Sequence, residues 1–265
     1  MSNEQLLCLT LDLENDWYFD DPALDHLTLD HLDTFIDLVG EIDLPLSIFV
    51  VGETLERYPE SVERLHTALD CEFHLHSYRH DTTKSCDFRD EVRRGVAAFE
   101  AHFDERPVGY RAPQGNIEPH EFEILEEEGF AFDSSVFPSF RPGVYNNLDA
   151  PLEPFRPNGG DGLLEIPLGV IRGFRIPTAL SYVKAIGRPM VPLLRVAALP
   201  SVVVYNVHLQ DLFRTESHDH LKQPKQTFML RNMKRAATLF ESSLDVLLQR
   251  GYRPTTINEV WVSHG

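Results

Sequence analysis

The chain is short of cysteine, of lysine and of long hydrophobic runs, and each shortage removes a class of protein. Its three cysteines, Cys8, Cys71 and Cys86, form neither a CxxC pair nor an even-numbered framework. A disulfide scaffold and a thiol-redox motif are therefore excluded, a reducing compartment is expected, and all three read as packing residues. No uncharged stretch reaches the roughly 20 apolar residues that a membrane helix needs. The most apolar one, from Met190 to Val207, is interrupted by Pro192, Arg195 and Pro200. A spanning segment is excluded. Peripheral contact of Met190–Ala198 with a membrane is one reading of that apolarity, and a buried helix is the other. The opening MSNEQLLCLTLD lacks a basic n-region and runs straight into a strand-like pattern, so no signal peptide and a cytoplasmic location are expected.

Positive charge is also scarce: 24 Lys and Arg stand against 42 Asp and Glu, for a formal net charge of −18. A broad nucleic-acid or anionic-lipid surface is excluded. Lysine occurs only at Lys84, Lys184, Lys222, Lys225 and Lys234. With the acid surplus, this fits the surface of a protein from a salt-loving organism, where salt screens carboxylate self-repulsion; an ordinary acidic enzyme is the plainer alternative.

What is present is a substantial core. Of 265 residues 42% are apolar, and no low-complexity tract or linker interrupts them, so one domain over residues 1–265 is expected. Short apolar or β-branched runs alternate with segments of helical period, the pattern of a parallel sheet covered by helices. Strands are expected at Leu6–Leu13, Leu46–Val51, Glu72–His76, Val108–Ala112, Ala131–Ser134, Leu163–Val170, Ser201–His208 and Thr255–Ile257. Helices are expected at Leu29–Val39, Arg89–Phe103 and Thr227–Gln249, and a long surface loop at residues 138–161. An open doubly wound sheet would announce itself by a glycine-rich first turn. Here the first strand ends in acids, which favours an α/β fold of the barrel type.

In LLCLTLDLEND the alternation puts Leu7, Leu9, Leu11 and Leu13 on one face and Cys8, Thr10, Asp12 and Glu14 on the other. With the leucines against the helices, Asp12 and Glu14 point inward at the carboxyl end of a barrel strand, where such folds place their sites. Two inward carboxylates that close require a cation, because like charges raise one pKa strongly. Asp16 joins that face if the strand continues. In EFHLHSYRH, His74 and His76 share a strand face and His80 follows His76 at i+4, a spacing that lets two imidazoles converge on one ion. Two imidazoles and a carboxylate with an open position describe a catalytic zinc site, and equally the triad of non-haem iron oxygenases, which usually occupy a jelly roll.

The ordered motifs TLDLENDW, HSYRH, GYRAPQGN, GFAFDSSVFP and VVVYNVHLQD together resemble those of the polysaccharide deacetylase superfamily, in its branch with a D-x-E first motif. The resemblance runs from about Leu6 to the last helix. It implies a distorted (β/α)7 barrel and a hydrolase that removes an N-acyl group from an amino sugar in a glycan, nucleotide-sugar or lipid-linked precursor. By position it implies Asp12 as general base, Arg111 as the arginine that holds it, Pro113 following, and His208 with Asp211 as general acid and its partner. Glu14, His76 and His80 are implied as ligands of a divalent metal, zinc first. The commonest first motif has its metal aspartate directly after the base, where this chain has Leu13; Glu14 restores an inward carboxylate, with Asp16 as the fallback ligand. Two other outcomes are kept open: a hydrolase of cyclic ureides or imides of the allantoinase kind, and a non-catalytic glycan-binding member. Oligomeric state is not readable.

Overall fold

In the computed structural model, which describes residues 4–19 and 21–264, the leucine alternation of the first strand does what its phase dictates. Strand β1, Leu6–Leu13, is buried along its whole length. Leu7, Leu9, Leu11 and Leu13 pack in the larger apolar cluster, among residues of the outer helices. Leu6 and Cys8 pack in a second cluster on the opposite side of the strand, with Phe49, Phe132 and Ile166.

The sheet continues through β2 (Leu46–Val50), β3 (Cys71–Leu75), β4 (Gly109–Tyr110), β5 (Phe132–Asp133), β6 (Leu164–Glu165), β7 (Val202–His208) and β8 (Arg253–Pro254). All neighbours are parallel, in the order β7-β1-β2-β3-β4-β5-β6, with β8 also pairing with β1. Beyond β6 the chain reaches β7 through one parallel bridge, Leu168 to Val204. The result is a curled seven-stranded half-barrel, the distorted (β/α)7 barrel expected.

Helices α1 (Leu32–Ile42), α2 (Gly52–Arg57), α3 (Pro59–Ala68), α4 (Phe88–Phe103) and α5 (Pro119–Glu127) cover the first five strands. Helix α1 buries Leu32, Phe35 and Val39 and stops where Asp43 turns left-handed. Helix α4 starts at Asp87, whose side chain accepts the amide of Asp90. Helices α6 (Leu180–Ile186), α7 (Met190–Val196), α8 (Leu209–Leu212), α9 (Lys225–Leu230), α10 (Ala236–Gln249) and α11 (Ile257–His264) follow.

Four expectations change. The helix expected over Thr227–Gln249 is two, α9 and α10, because Asn232 sits in the left-handed region between them and breaks the hydrogen-bond ladder. The strand expected at Thr255–Ile257 lies earlier, at Arg253–Pro254, and Ile257 already opens α11. The run Leu163–Val170 pairs in the barrel only through Leu164–Glu165, while Val170–Ile171 turns away to pair antiparallel with Ile176–Pro177. The loop at 138–161 carries a short hairpin, Phe140–Arg141 against Tyr145–Asn146. Met190 and Leu194 of α7 are buried in the main core, which accounts for the apolarity of that stretch. No helix among the described residues is long and apolar enough to cross a membrane.

Candidate metal and proton-transfer site

The residues picked out by motif arrive at the carboxyl end of the sheet from four strands. Asp12 and Glu14 come from the end of β1, His76 and His80 from the turn after β3, Arg111 from the end of β4, and His208 and Asp211 from the junction of β7 with α8. Registry brings the first and last together, since Asp12 and His208 are direct partners across the parallel pair.

The turn that aims the histidines is held from behind. Ser77 adopts a left-handed backbone, φ 66°, just after His76. The first amides of α2 bind it, Gly52 N donating to Ser77 O at 3.0 Å and Glu53 N to Tyr78 O at 2.9 Å. A side chain at Gly52 or Gly95 would collide with Tyr78 or Leu75 at under 3 Å, so glycine at both places is what lets α2 and α4 close on this turn.

Glu14 Oε2 lies 2.8 Å from His80 Nε2 and 3.3 Å from His76 Nε2. One ligand atom from each of the three residues falls within 4.8 Å of the other two, and all three side chains are buried. His76 Nδ1 is 2.8 Å from the Arg111 carbonyl oxygen. A carbonyl only accepts, so Nδ1 carries a proton, and Nε2 is the nitrogen that faces Glu14. Glu14 Oε2 and His76 Nε2 have no aligned hydrogen-bond partner among the described residues, a costly condition for buried polar atoms unless something else completes them. Neutral imidazole and carboxylate converging in this way fit a divalent ion, and the donor set suits zinc. Gln210 Nε2 fixes the other oxygen of Glu14 at 2.9 Å, and the Tyr18 ring stacks on His80 at 4.0 Å between centroids.

Asp12 is bound differently. Arg111 Nη1 donates to its Oδ1 at 2.6 Å and Asn206 Nδ2 to its Oδ2 at 2.9 Å. Arg111 is itself fixed by Thr10 Oγ1, Asn206 Oδ1, the Ser134 carbonyl and the Ser134 hydroxyl, with its guanidinium 3.9 Å over the Phe49 ring. Burial alone would raise the Asp12 pKa; the Arg111 charge beside it, with His76 and His208, overrides burial and holds the carboxyl far below the usual range. Glu14 is likewise buried and likewise held well below its ordinary value, here by His80 and His76. Burial shifts His80 downward, toward the neutral form, against the pull of Glu14.

His208 closes the site from the far side. Its Nε2 is 3.5 Å from Asp12 Oδ2 and 3.9 Å from Glu14 Oε1, and its Nδ1 is 3.0 Å from Asp211 Oδ2. Burial favours the neutral ring, but Asp12, Asp211 and Glu14 together outweigh it and push the pKa well above that of a free histidine.

Three residues in the motifs do not join the cluster. Asp16 lies outside the group of Glu14, His76 and His80: its carboxylate accepts the Thr28 amide at 3.2 Å and the hydroxyls of Thr28, Thr215 and Ser217, pinning two loops to the end of β1. Both of its oxygens are engaged there, so of the two carboxylates Glu14 is the one placed beside the histidines. His74 shares the inward face with His76 but sits one strand repeat lower, paired with Glu72 at 2.9 Å. Pro113 opens a single helical turn behind Arg111 and touches none of these groups through hydrogen bonds. Thr10, Ser134, Asn206, Gln210 and Lys184 escaped the sequence reading; only Thr10, on the inward phase of β1, carried any signal there.

Residues 18–132 match the family model described as polysaccharide deacetylase. A peptidoglycan deacetylase-like protein of Gibberella zeae is 29% identical over 104 residues, 38% of this chain and 30% of that protein. The fold is shared with a CE4 family pseudoenzyme of Bacillus anthracis at 12% identity, with a TM-score of 0.58 over 98% of this chain and 66% of that one. It is shared with an allantoinase at 14% identity, with a TM-score of 0.59 over 98% of this chain and 90% of that one. The chain is thus similar to the polysaccharide deacetylase family over residues 18–132, under half of its length, and shares its fold with these solved structures. It spans under a third of the Gibberella relative and about two-thirds of the pseudoenzyme. Since that fold also carries a pseudoenzyme and an allantoinase, activity has to be argued from the side chains.

Proposed function

We propose that the protein is a metal-dependent hydrolase that removes an N-acyl group, acetyl first, from an amino sugar in a glycan, nucleotide-sugar or lipid-linked precursor. The observation that carries this reading is the convergence of Glu14, His76 and His80 on one point, flanked by two carboxylates with distinct partners, Asp12 on Arg111 and Asp211 on His208.

Glu14, His76 and His80 would hold the ion. When bound there, a divalent ion supplies Lewis acidity, lowering the pKa of a water toward about 7 and polarising an acyl carbonyl. Asp12 is kept ionised by Arg111 and Asn206, so it is a base able to accept the water's proton at Oδ2. His208, kept in its doubly protonated form by Asp12, Asp211 and Glu14, donates from Nδ1 to Asp211 and delivers its Nε2 proton to the departing amine. The 3.5 Å between His208 Nε2 and Asp12 Oδ2 allows the proton gained at the base to return to the acid once the amine has left. Gln210 and Tyr18 hold Glu14 and His80 in place throughout.

The test is paired: metal content of purified protein by elemental analysis, and acetate release from a panel of N-acetyl amino sugars in parallel with ring opening of allantoin. Stoichiometric metal with acetate release supports the proposal. Allantoin opening without acetate release would move the protein to the allantoinase reading, an activity found on the same fold, and metal-free sugar binding without turnover would make it a glycan-binding member.

A further inference from the structure

Behind the Asp211–His208 pair lies an ammonium group that the reaction above does not use. Lys184, on α6, is completely buried. Its Nζ is 2.7 Å from the Asp211 carbonyl, 3.1 Å from the Met229 carbonyl, 3.8 Å from Met233 Sδ and 3.6 Å from Asp211 Oδ1. Asp211 is equally buried, and its Oδ1 has no hydrogen-bond partner among the described residues.

A clip between α6, α8 and the end of α9 needs only an N–H donor for two carbonyls, which an amide or hydroxyl can provide. A buried ammonium adds a charge, and a buried charge is costly unless an anion faces it. The anion facing this one is Asp211. His208 also faces Asp211, at 3.0 Å, but it gives up its charge when it hands on a proton; without a second cation, a carboxylate in so enclosed a place then tends to take up a proton and ceases to be a pure acceptor. Held ionised, it can only accept from His208 Nδ1, and the mobile proton of the ring is then the one on Nε2, which faces Asp12 and Glu14. The three groups form a line from α6 into the site.

We propose that Lys184 is a positioning residue for proton delivery: it keeps Asp211 anionic and in place, and so fixes which nitrogen of His208 hands a proton to the leaving group. The inference rests on the reading of His208 as the proton donor. No bond is made or broken at Lys184.

The experiment compares two acetyl substrates on the metal-loaded protein. An N-acetyl amino sugar expels an amine that must be protonated, whereas p-nitrophenyl acetate expels a phenolate that leaves without a proton. Lys184→Met is expected to lower kcat on the amide by roughly 10- to 100-fold, the usual effect of removing a group that orients a first-line residue, with KM unchanged and a much smaller loss on the ester. Asp211→Asn should show the same split, and the double variant should be no worse than Asp211→Asn alone, since both act through one line. Equal losses on the two substrates, or losses that multiply in the double variant, would overturn the role of Lys184 and leave the hydrolase reading intact. A wild-type protein that cleaves neither substrate across the N-acetyl amino-sugar panel overturns both. If Lys184→Met fails to fold, Lys184→Gln retains a donor for the two carbonyls without the charge and must give the same split.

Discussion

The site has two walls built on different plans. The early wall is formed by β1 and the turn after β3, where Glu14, His76 and His80 approach one another and leave Glu14 Oε2 and His76 Nε2 without aligned partners. The late wall comes from β4, β7, α8 and α6 and takes in Asp12 of β1, so that Asp12, Arg111, Asn206, His208, Asp211 and Lys184 are tied together by hydrogen bonds and ion pairs. Asp12 and Glu14 stand two residues apart on one strand face, yet one belongs to each wall. Carboxylates equally buried thus acquire different character from what they meet: a guanidinium holds one ionised and fixed, and the other faces two imidazoles whose ring nitrogens converge on it.

That contrast can be broken at several points. The largest effect is expected for Asp12→Asn, which should lower turnover by about 10²–10⁴-fold with metal content unchanged, measured by steady-state kinetics beside elemental analysis. His76→Ala should do the reverse in kind: metal falls below stoichiometric, and turnover is lost because of it. Unchanged occupancy in that variant would take His76 out of the ion site. Arg111→Met leaves the buried Asp12 charge uncompensated and should cost about 3–5 kcal/mol in a urea titration, far more than a substitution on the surface. Asp16→Ala removes an acceptor from loops rather than a ligand from an ion, so about 1–3 kcal/mol of stability should go while metal stoichiometry stays.

The smallest effect sharpens the comparison from below the site, at two further buried carboxyls. Burial and, for Glu165, the nearby Asp133 raise both pKa values. For a raised acid the sign is opposite to that of Asp12. Below the unfolded pKa, near 4.5 for Glu165, both states are protonated and nothing is lost. As pH rises past it, the unfolded chain releases its proton while the folded one retains it, and stability declines until the folded pKa is reached. Glu165→Gln keeps the acceptor for the Val136 amide and removes the titration. Its stability advantage over wild type should therefore grow between pH 5 and 8 in thermal melts, and a constant difference across that range would refute the raised pKa.

Much of the early wall was legible from the residues. The leucine phase of β1 dictated that Asp12 and Glu14 face inward, and the i+4 spacing of His76 and His80 brought two imidazoles to one turn. The late wall was legible only in part. Arg111, His208 and Asp211 were carried by a family resemblance, and no local pattern distinguishes Asn206, Gln210 or Ser134 from other polar residues near strand ends. The helix expected over 227–249 failed for a related reason: one left-handed residue, Asn232, interrupts a period that the flanking apolar positions continue undisturbed.

By itself, then, the sequence determined the strand faces, the parallel α/β plan and the acid and imidazole pairs, because those follow from periods of two and 3.6 residues that act between near neighbours. Tertiary structure alone decided that Asp16 anchors loops away from the histidines, that Arg111 selects Asp12 over Glu14, and that Lys184 stands behind Asp211. Those outcomes depend on contacts between groups from 12 to 201 residues apart, whose distances are set by how the sheet curls and its helices and loops pack.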